Sequence, residues 1–411
     1  MINQKIFLQH LCFHVIAFLI FTILSPLSML HAQQPERIIL NVTAQPATSM
    51  AVTWRTATEA SDPKAEITIA RAQPDLDEDA LKFIPTSEWV SINEDQKVQY
   101  HSVVFTNLQP NTLYAYRVGD NDHWSPWNQF RTASVQPEPF KFVNFGDPQN
   151  DIYSLCSRVF RMAYTIAPDA RFWHFVGDIV NHGDRDNEWG ELYDAFGWIA
   201  QVTPMMLLPG NHGYPKVMNS LKKESHLNQF WRPQFTLPQN GPKGLEETVY
   251  FVDYQGVRLI MLNGNEMLEE QVVWLDSILA DNPNRWTISA MHQPLYSTGR
   301  DRDNPKLQQL FGPIYDKYHV DLVLQGHDHT YGRTGKIFNG KLVGDNEQGT
   351  VYVVSVSGTK IYDLNPRYEK LMEKIGTGRQ LFQVISATPK KLSYESWTAN
   401  SELFDQFELK K

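Results

Sequence analysis

A chain of 411 residues is too long for one ordinary core and points to two or three domains. Its 42% hydrophobic and 12% aromatic content excludes a disordered chain. Its formal charge of −9 argues against a protein that tracks a nucleic-acid backbone, leaving nucleic acid only as a substrate.

In chain order, Lys5 precedes an apolar run from Leu11 to Leu24, followed by Pro26, Ser28 and the small residue Ala32. This is the pattern of a secretory signal peptide over residues 1–32, cleaved after Ala32, and it predicts a secreted or periplasmic protein. An uncleaved membrane anchor is opposed by His14, Pro26 and the polar Gln33-Gln34, so no span is expected in the mature chain. Cleavage removes Lys5 and no acid, so 37 basic residues become 36 against 46 acidic ones, a formal charge of −10. Cys12 lies in the signal, which leaves Cys156 alone and no intramolecular disulfide. No feature of the sequence sets an oligomeric state.

Between Arg37 and Thr132, short alternating β-branched and aromatic segments are broken by turn residues. Strands are predicted at Arg37–Val42, Met50–Arg55, Glu66–Ala70 and Tyr114–Val118, and together they predict a β-sandwich over residues 35–134. The run from Leu108 to Val118 puts a turn before an alternating strand. It carries a Tyr positioned to bond back to backbone, and it resembles a fibronectin type III strand with its tyrosine corner. Trp54, Trp89, Trp124 and Trp127 are expected in the core or at a domain interface. The pattern breaks at Ser134–Pro139.

Beyond Pro139, apolar strands alternate with longer helical stretches, which predicts an α/β layered domain over residues 138–400. Strands are expected at Phe140–Phe145, Phe172–Val176, Met205–Leu208, Val257–Leu262, Trp286–Met291 and Asp321–Leu324. Helices are expected at Tyr153–Ile166, Glu188–Ala200, Glu269–Leu279 and Pro305–Tyr318. Thr350–Val356, Leu381–Ser386 and Leu392–Trp397 are later strands with short connections, suited to completing a second sheet packed on the first.

Oxygen and nitrogen donors stand immediately after several of these strands: Asp147, Asp178, Asn211-His212, His292 and His327-Asp328-His329. In open α/β sheets the strand carboxyl ends face the ligand crevice, so these donors gather on one rim. Glycines precede several of them, where a missing side chain permits a sharp turn. Any one Asp or His alone reads more naturally as a turn, cap or satisfied interior residue. Only the joint placement points to metal.

The ordered set Gly177-Asp178, Gly210-Asn211-His212, His292 and Gly326-His327-Asp328-His329 resembles the calcineurin-like metallophosphoesterase superfamily. With the preceding sandwich, the chain is most similar to purple acid phosphatases, especially at Met291–Tyr296 and Gly326–Arg333. The implied fold is a fibronectin type III-like sandwich followed by a four-layer domain of two packed mixed sheets flanked by helices. The implied activity is hydrolysis of phosphomonoesters by in-line attack of a hydroxide held by two divalent or trivalent ions, Fe, Mn or Zn. By that resemblance Asp178 bridges the ions, Asp147 and His329 serve the first, and Asn211, His292 and His327 serve the second. His212 is implied to act at the leaving-group oxygen as general acid or charge stabiliser, and His182 is a second candidate for phosphate contact.

The chain departs from the pattern in three places. Asn181 stands where purple acid phosphatases carry the Tyr whose phenolate binds ferric iron and gives the colour. Gln149 stands where other members carry a His, and its amide oxygen is a weaker donor to the first metal. Gly213 replaces the usual acid after Gly-Asn-His, which removes an expected partner of His212. Around the site, Arg300 and Arg302 are candidates to recognise a substrate phosphate or carboxylate, and Tyr331 and Tyr296 to line the pocket. Asp328 is expected to be solvated, and the long stretch Tyr214–Glu247 to cover the site or set specificity. Two other readings compete with a phosphomonoesterase of small-molecule esters. One is a phosphodiesterase with the same centre, and the other is an adhesion or binding protein that has lost activity.

Overall fold

The computed structural model describes residues 34–219 and 222–411; the signal segment expected over residues 1–32 lies outside the described residues. The sandwich strands form at Glu36–Asn41, Met50–Thr56, Lys64–Ile69 and Leu113–Gly119, close to their expected bounds. Alternation in the sequence becomes alternation in burial, and the inward residues Leu40, Val52, Trp54, Ile67, Phe105, Tyr116 and Phe130 form one core. The Tyr114 hydroxyl accepts a hydrogen bond from the Gln109 N–H at 2.8 Å, which is the tyrosine corner. Trp89 departs from expectation: it is 48% exposed on the edge strand Thr86–Ser91.

The sandwich and the α/β region share a sheet. Asn41 pairs in parallel with Met205, and the Val42 N–H donates to the Met205 carbonyl at 3.1 Å. One face of the sandwich therefore continues as a ten-stranded sheet through Met205–Leu207, Trp173–Phe175, Phe140–Phe145, Leu381–Ala387 and Lys391–Thr398 to Leu403–Lys410. The last of these strands carries the sheet past the end expected at 400. The connecting segment is pinned by Gln255, which accepts from the Ser134 N–H and donates to the Glu138 carbonyl, both at 3.0 Å.

A second sheet of seven strands has Val257–Leu262, Trp286–Met291, Leu322–Gln325 and Val351–Val354 running parallel at its centre. Tyr250–Tyr254, Tyr331–Thr334 and Met372–Gly376 are antiparallel flanks. Every residue of Val257–Leu262 and Trp286–Met291 is buried, as parallel strands covered on both faces require. Leu259, Met261 and Leu324 face the space between the sheets, while Ile260, Leu262 and Val323 face the helices Leu268–Ala280 and Pro305–Tyr318. The helices Ser157–Ile166 and Asp186–Phe196 pack Val159, Phe160, Leu192 and Phe196 on the first sheet. The result is helix, sheet, sheet, helix, with the carboxyl ends of both parallel sets opening on one rim.

Candidate metal centre

The loops that leave Phe145, Phe175, Leu207, Met291 and Gln325 carry the donors, and the backbone bends sharply to deliver them. Asp147, Asp178, His327 and His329 have φ of 44°, 44°, 72° and 52°. Such left-handed conformations are uncommon away from glycine and concentrate at functional sites. The glycines before the donors act mostly in a different way from the expected turn. Only Gly177 has a positive φ, 91°. At Gly210 an added Cβ would lie 2.1 Å from Asp178 Oδ1, and at Gly326 2.1 Å from Asp147 Oδ1, so these positions are small because neighbouring loops touch there.

Asp178, His292 and His327 each place a ligand atom within 4.8 Å of the others. His292 Nε2 is 2.9 Å from Asp178 Oδ2, 3.2 Å from His327 Nδ1 and 3.3 Å from Asn211 Oδ1. Its Nδ1–H donates to the Val176 carbonyl at 2.8 Å, which orients the ring and turns Nε2 into the cluster. On the other side His329 Nε2 lies 3.6 Å from Asp147 Oδ2 and 3.0 Å from Gln149 Nε2, and Asp147 Oδ1 accepts the His327 N–H at 2.7 Å. The seven residues Asp147, Gln149, Asp178, Asn211, His292, His327 and His329 thus converge.

Burial raises the Asp147 carboxyl to about 8, against the pull of His292. Burial acts in the same direction on Asp178, but the His292 imidazolium in contact outweighs it and holds Asp178 below the usual carboxylate range. His292 is disfavoured as a cation by burial, yet Asp178 and Asp147 lift it to about 9. Burial, with His292 and Arg302 adding to it, lowers His327 to about 2; burial and Lys360 lower His329 to about 3. Both therefore stay neutral near pH 7, the form in which imidazole offers a lone pair to metal. Asp147 Oδ2 and Gln149 Oε1, from the two residues that face His329 Nε2, are buried without a hydrogen-bond partner. Buried polar atoms are normally satisfied, and oxygen and imidazole donors converging with unmet lone pairs fit Zn, Fe or Mn ions.

Residues 35–132 match the family described as purple acid phosphatase, N-terminal domain, and residues 140–331 match calcineurin-like phosphoesterase. The chain belongs to the purple acid phosphatase-like metallophosphoesterases. Like them it is a metal-dependent phosphoric ester hydrolase. It is 26% identical over 367 residues to the mouse protein named acid phosphatase type 7, covering 79% of this chain and 77% of that one. It is 24% identical to probable purple acid phosphatase 20 of Arabidopsis thaliana, covering 69% of this chain and 66% of that one. Purple acid phosphatase PPD1 from yellow lupin seeds shares the fold, with a TM-score of 0.78 at 17% identity, covering 92% of this chain and 74% of the lupin chain.

Other residues of this metallophosphoesterase fall on or off the centre. His212 is there: its Nδ1–H donates to the Asn181 carbonyl at 2.5 Å, and its Nε2 is 3.8 Å from Asp178 Oδ2. The Asn181 backbone thus supplies the partner that Gly213 does not. His182 lies beside it, half-exposed, with Nδ1 2.6 Å from Glu188 Oε1. Tyr331 is a correction: its side chain is buried between the sheets and its hydroxyl donates to Asp405 Oδ2 at 2.7 Å, away from the centre. Tyr296 likewise packs against Tyr352 and Tyr368. Arg300 points outward and pairs with Asp363 at 3.0 Å, while Arg302, two residues on, contacts His327 Nε2. Asp328 is fully buried instead of solvated, and its Oδ2 accepts from Ser297 Oγ, Thr298 N and Gly299 N at 2.6, 2.7 and 2.9 Å. The stretch Tyr214–Glu247 begins with a hairpin, Lys216–Asn219 and Lys222–Ser225, and then turns inward. Asn228 donates to the Gly213 carbonyl at 3.0 Å, and Thr236 reaches Asn41 at 3.1 Å, so this part braces the site against the sandwich. Sequence reading missed Lys360 and Tyr362, which follow no strand-end motif. Among the described residues no helix is long and apolar enough to cross a membrane.

Proposed function

We propose that this protein is an exported phosphomonoesterase with a dinuclear centre. The observation that carries the reading is the convergence of seven donor residues, five of them buried, with Asp147 Oδ2 and Gln149 Oε1 lacking a hydrogen-bond partner. Asp147, Gln149 and His329 would hold one ion, Asn211, His292 and His327 the other, and Asp178 would lie between. When bound, the two ions supply Lewis acidity toward the phosphoryl oxygens and make water nucleophilic near neutral pH. Strand-end loops held at such close approach leave the ligands little freedom, which pre-organises them.

His212 supplies the leaving-group chemistry. Its Nδ1–H is committed to the Asn181 carbonyl, so it is the doubly protonated ring whose Nε2–H is free to give a proton to the departing alkoxide. Glu188 holds His182 through both its ring and its backbone N–H, at 2.6 and 2.7 Å, where it can contact the phosphoryl group. The monoester class follows the named relatives, which are acid phosphatases. Export rests on the signal pattern of residues 1–32.

The test combines metal analysis of the purified protein with release of nitrophenol from 4-nitrophenyl phosphate and its bis-aryl diester. Two ions per chain and a faster monoester are expected. A faster diester selects the phosphodiesterase reading. No stoichiometric metal, even after reconstitution with Mn, Fe or Zn, overturns the enzyme and leaves the binding protein.

A further inference from the structure

Next to the centre, the loop after Tyr296 and the segment after Gly358 lie against each other. Arg300 N–H donates to the Asp363 carbonyl at 2.9 Å, and Asn365 N–H to the Thr298 carbonyl at 2.8 Å. Their side chains frame an open depression of 510 Å³ lined by Arg300, Asp301, Arg302, Tyr362 and Asp363. Tyr362 is its inner wall, packed edge-on against the His329 ring at 4.8 Å. The Arg302 guanidinium lies over Tyr362 at 4.9 Å, and Lys360 Nζ approaches the same ring at 5.3 Å.

These two cations differ from their neighbours. Arg300 is tied to Asp363 at 3.0 Å and Arg367 to Asp303 at 2.8 Å. Among the described residues, Arg302 and Lys360 have no ion pair with a carboxylate, and the remaining acid of the loop, Asp301, is exposed. Arg302 contacts the centre itself through His327 Nε2 and reaches the Tyr362 hydroxyl at 3.4 Å. An arginine fork stacked on an aromatic ring and short of an anionic acceptor is suited to oxyanions.

We propose that Arg302, stacked on Tyr362 and supported by Lys360, is the specificity-determining grip on the phosphoryl group, selecting the doubly charged monoester over the singly charged diester. This rests on the hydrolase reading above and extends it to the choice of ester. A monoester presents three non-ester oxygens. In a diester one of those positions is an ester oxygen, which accepts a guanidinium poorly and whose carbon substituent meets the Tyr362 ring. The fork therefore strengthens with the charge and is blocked by the second substituent.

The experiment compares wild type, Arg302→Gln, Arg302→Lys and Tyr362→Ala, each metal-loaded and checked for metal content. Readouts are kcat/KM on 4-nitrophenyl phosphate and bis(4-nitrophenyl) phosphate, and calorimetric binding of inorganic phosphate. Losing a charge-assisted fork predicts a fall of about 10²-fold on the monoester and about threefold or less on the diester in Arg302→Gln, with phosphate affinity down about tenfold or more. Arg302→Lys restores part of the monoester rate, and Tyr362→Ala lies between. Equal losses on both esters, unchanged values on both, or loss of metal from Arg302→Gln each overturn the proposal. If metal-loaded wild type hydrolyses neither ester, the hydrolase reading fails by itself. The grip then stands if phosphate binding still depends on Arg302, and falls if it does not.

Discussion

Asp186 is predicted to hold the sandwich to the catalytic region, and its replacement by Ala tests this. The residue opens the helix Asp186–Phe196, which carries Glu188, the partner of His182. Its carboxylate takes Arg37 at 2.7 and 2.9 Å and Arg55 at 2.8 Å, and none of the three side chains is more than 10% exposed. Without the acid, Arg55 keeps Glu36 at 2.5 Å. Arg37 keeps the Asp186 carbonyl at 2.9 Å, the Tyr100 hydroxyl at 3.4 Å and the face of the Tyr193 ring at 5.7 Å. Stranding a buried charge costs about 3–5 kcal/mol, and these residual partners put Asp186→Ala at the lower end, about 3 kcal/mol. With an unfolding entropy of about 0.8 kcal/mol/K for a chain of this size, the melting temperature falls by about 4 °C. Scanning calorimetry with urea unfolding measures both, and a single transition is expected because Asn41 and Met205 join the regions in one sheet. The triple replacement Arg37→Met, Arg55→Met and Asp186→Leu recovers most of the loss, since no buried charge is then left alone and Glu36, which loses Arg55, is 45% exposed. A cost for Asp186→Ala of about 1 kcal/mol or less, on the scale of an exposed pair, or a sandwich that melts separately, would refute the reasoning.

Four further outcomes are expected from the geometry. His292→Ala removes the ring that touches Asp178, Asn211 and His327, so metal content and hydrolysis both fall, the latter by more than about 10²-fold; full retention of both by the purified variant sinks the ligand assignment. Gly326→Ala drives a methyl into Asp147 Oδ1 and is expected to lose metal; metal analysis of the purified variant checks this, and full metal occupancy would overturn the packing argument. Burial raises Glu247 from 4.5 to about 7, partly offset by Arg232. Its folded pKa exceeds the unfolded value, so the stability it favours is present below pH 4.5 and lost as pH rises through 7, by at most about 3 kcal/mol; Glu247→Gln should flatten that slope in urea titrations, and an unchanged slope would exclude Glu247 as its source. Iron-loaded protein should lack the phenolate charge-transfer band in its visible spectrum because Asn181 occupies the tyrosine position, and a strong purple band would show that another phenolate reaches the metal.

The layered fold and the identity of the converging donors are legible in the residues alone. Parallel strands buried on both faces read as apolar runs, so Val257–Leu262 and Trp286–Met291 appear at their full extent, and each ligand candidate stands within a few residues of such a run. Alternation did the same for the sandwich, down to the Tyr114 corner. Side chains whose direction depends on partners far along the chain were not legible. Asp328, between two ligand candidates, reads as solvated, yet three donors from Ser297, Thr298 and Gly299 draw it inward. Tyr331 reads as pocket lining, yet it opens an antiparallel strand whose inward face meets Asp405. Arg300 and Arg302 are indistinguishable in an aperiodic loop; only tertiary structure gives one an aspartate and the other the wall of the centre. The same holds for the sheet shared by the two regions, because the pairing of Asn41 with Met205 is a contact between backbones, and backbone hydrogen bonds leave no mark on residue type.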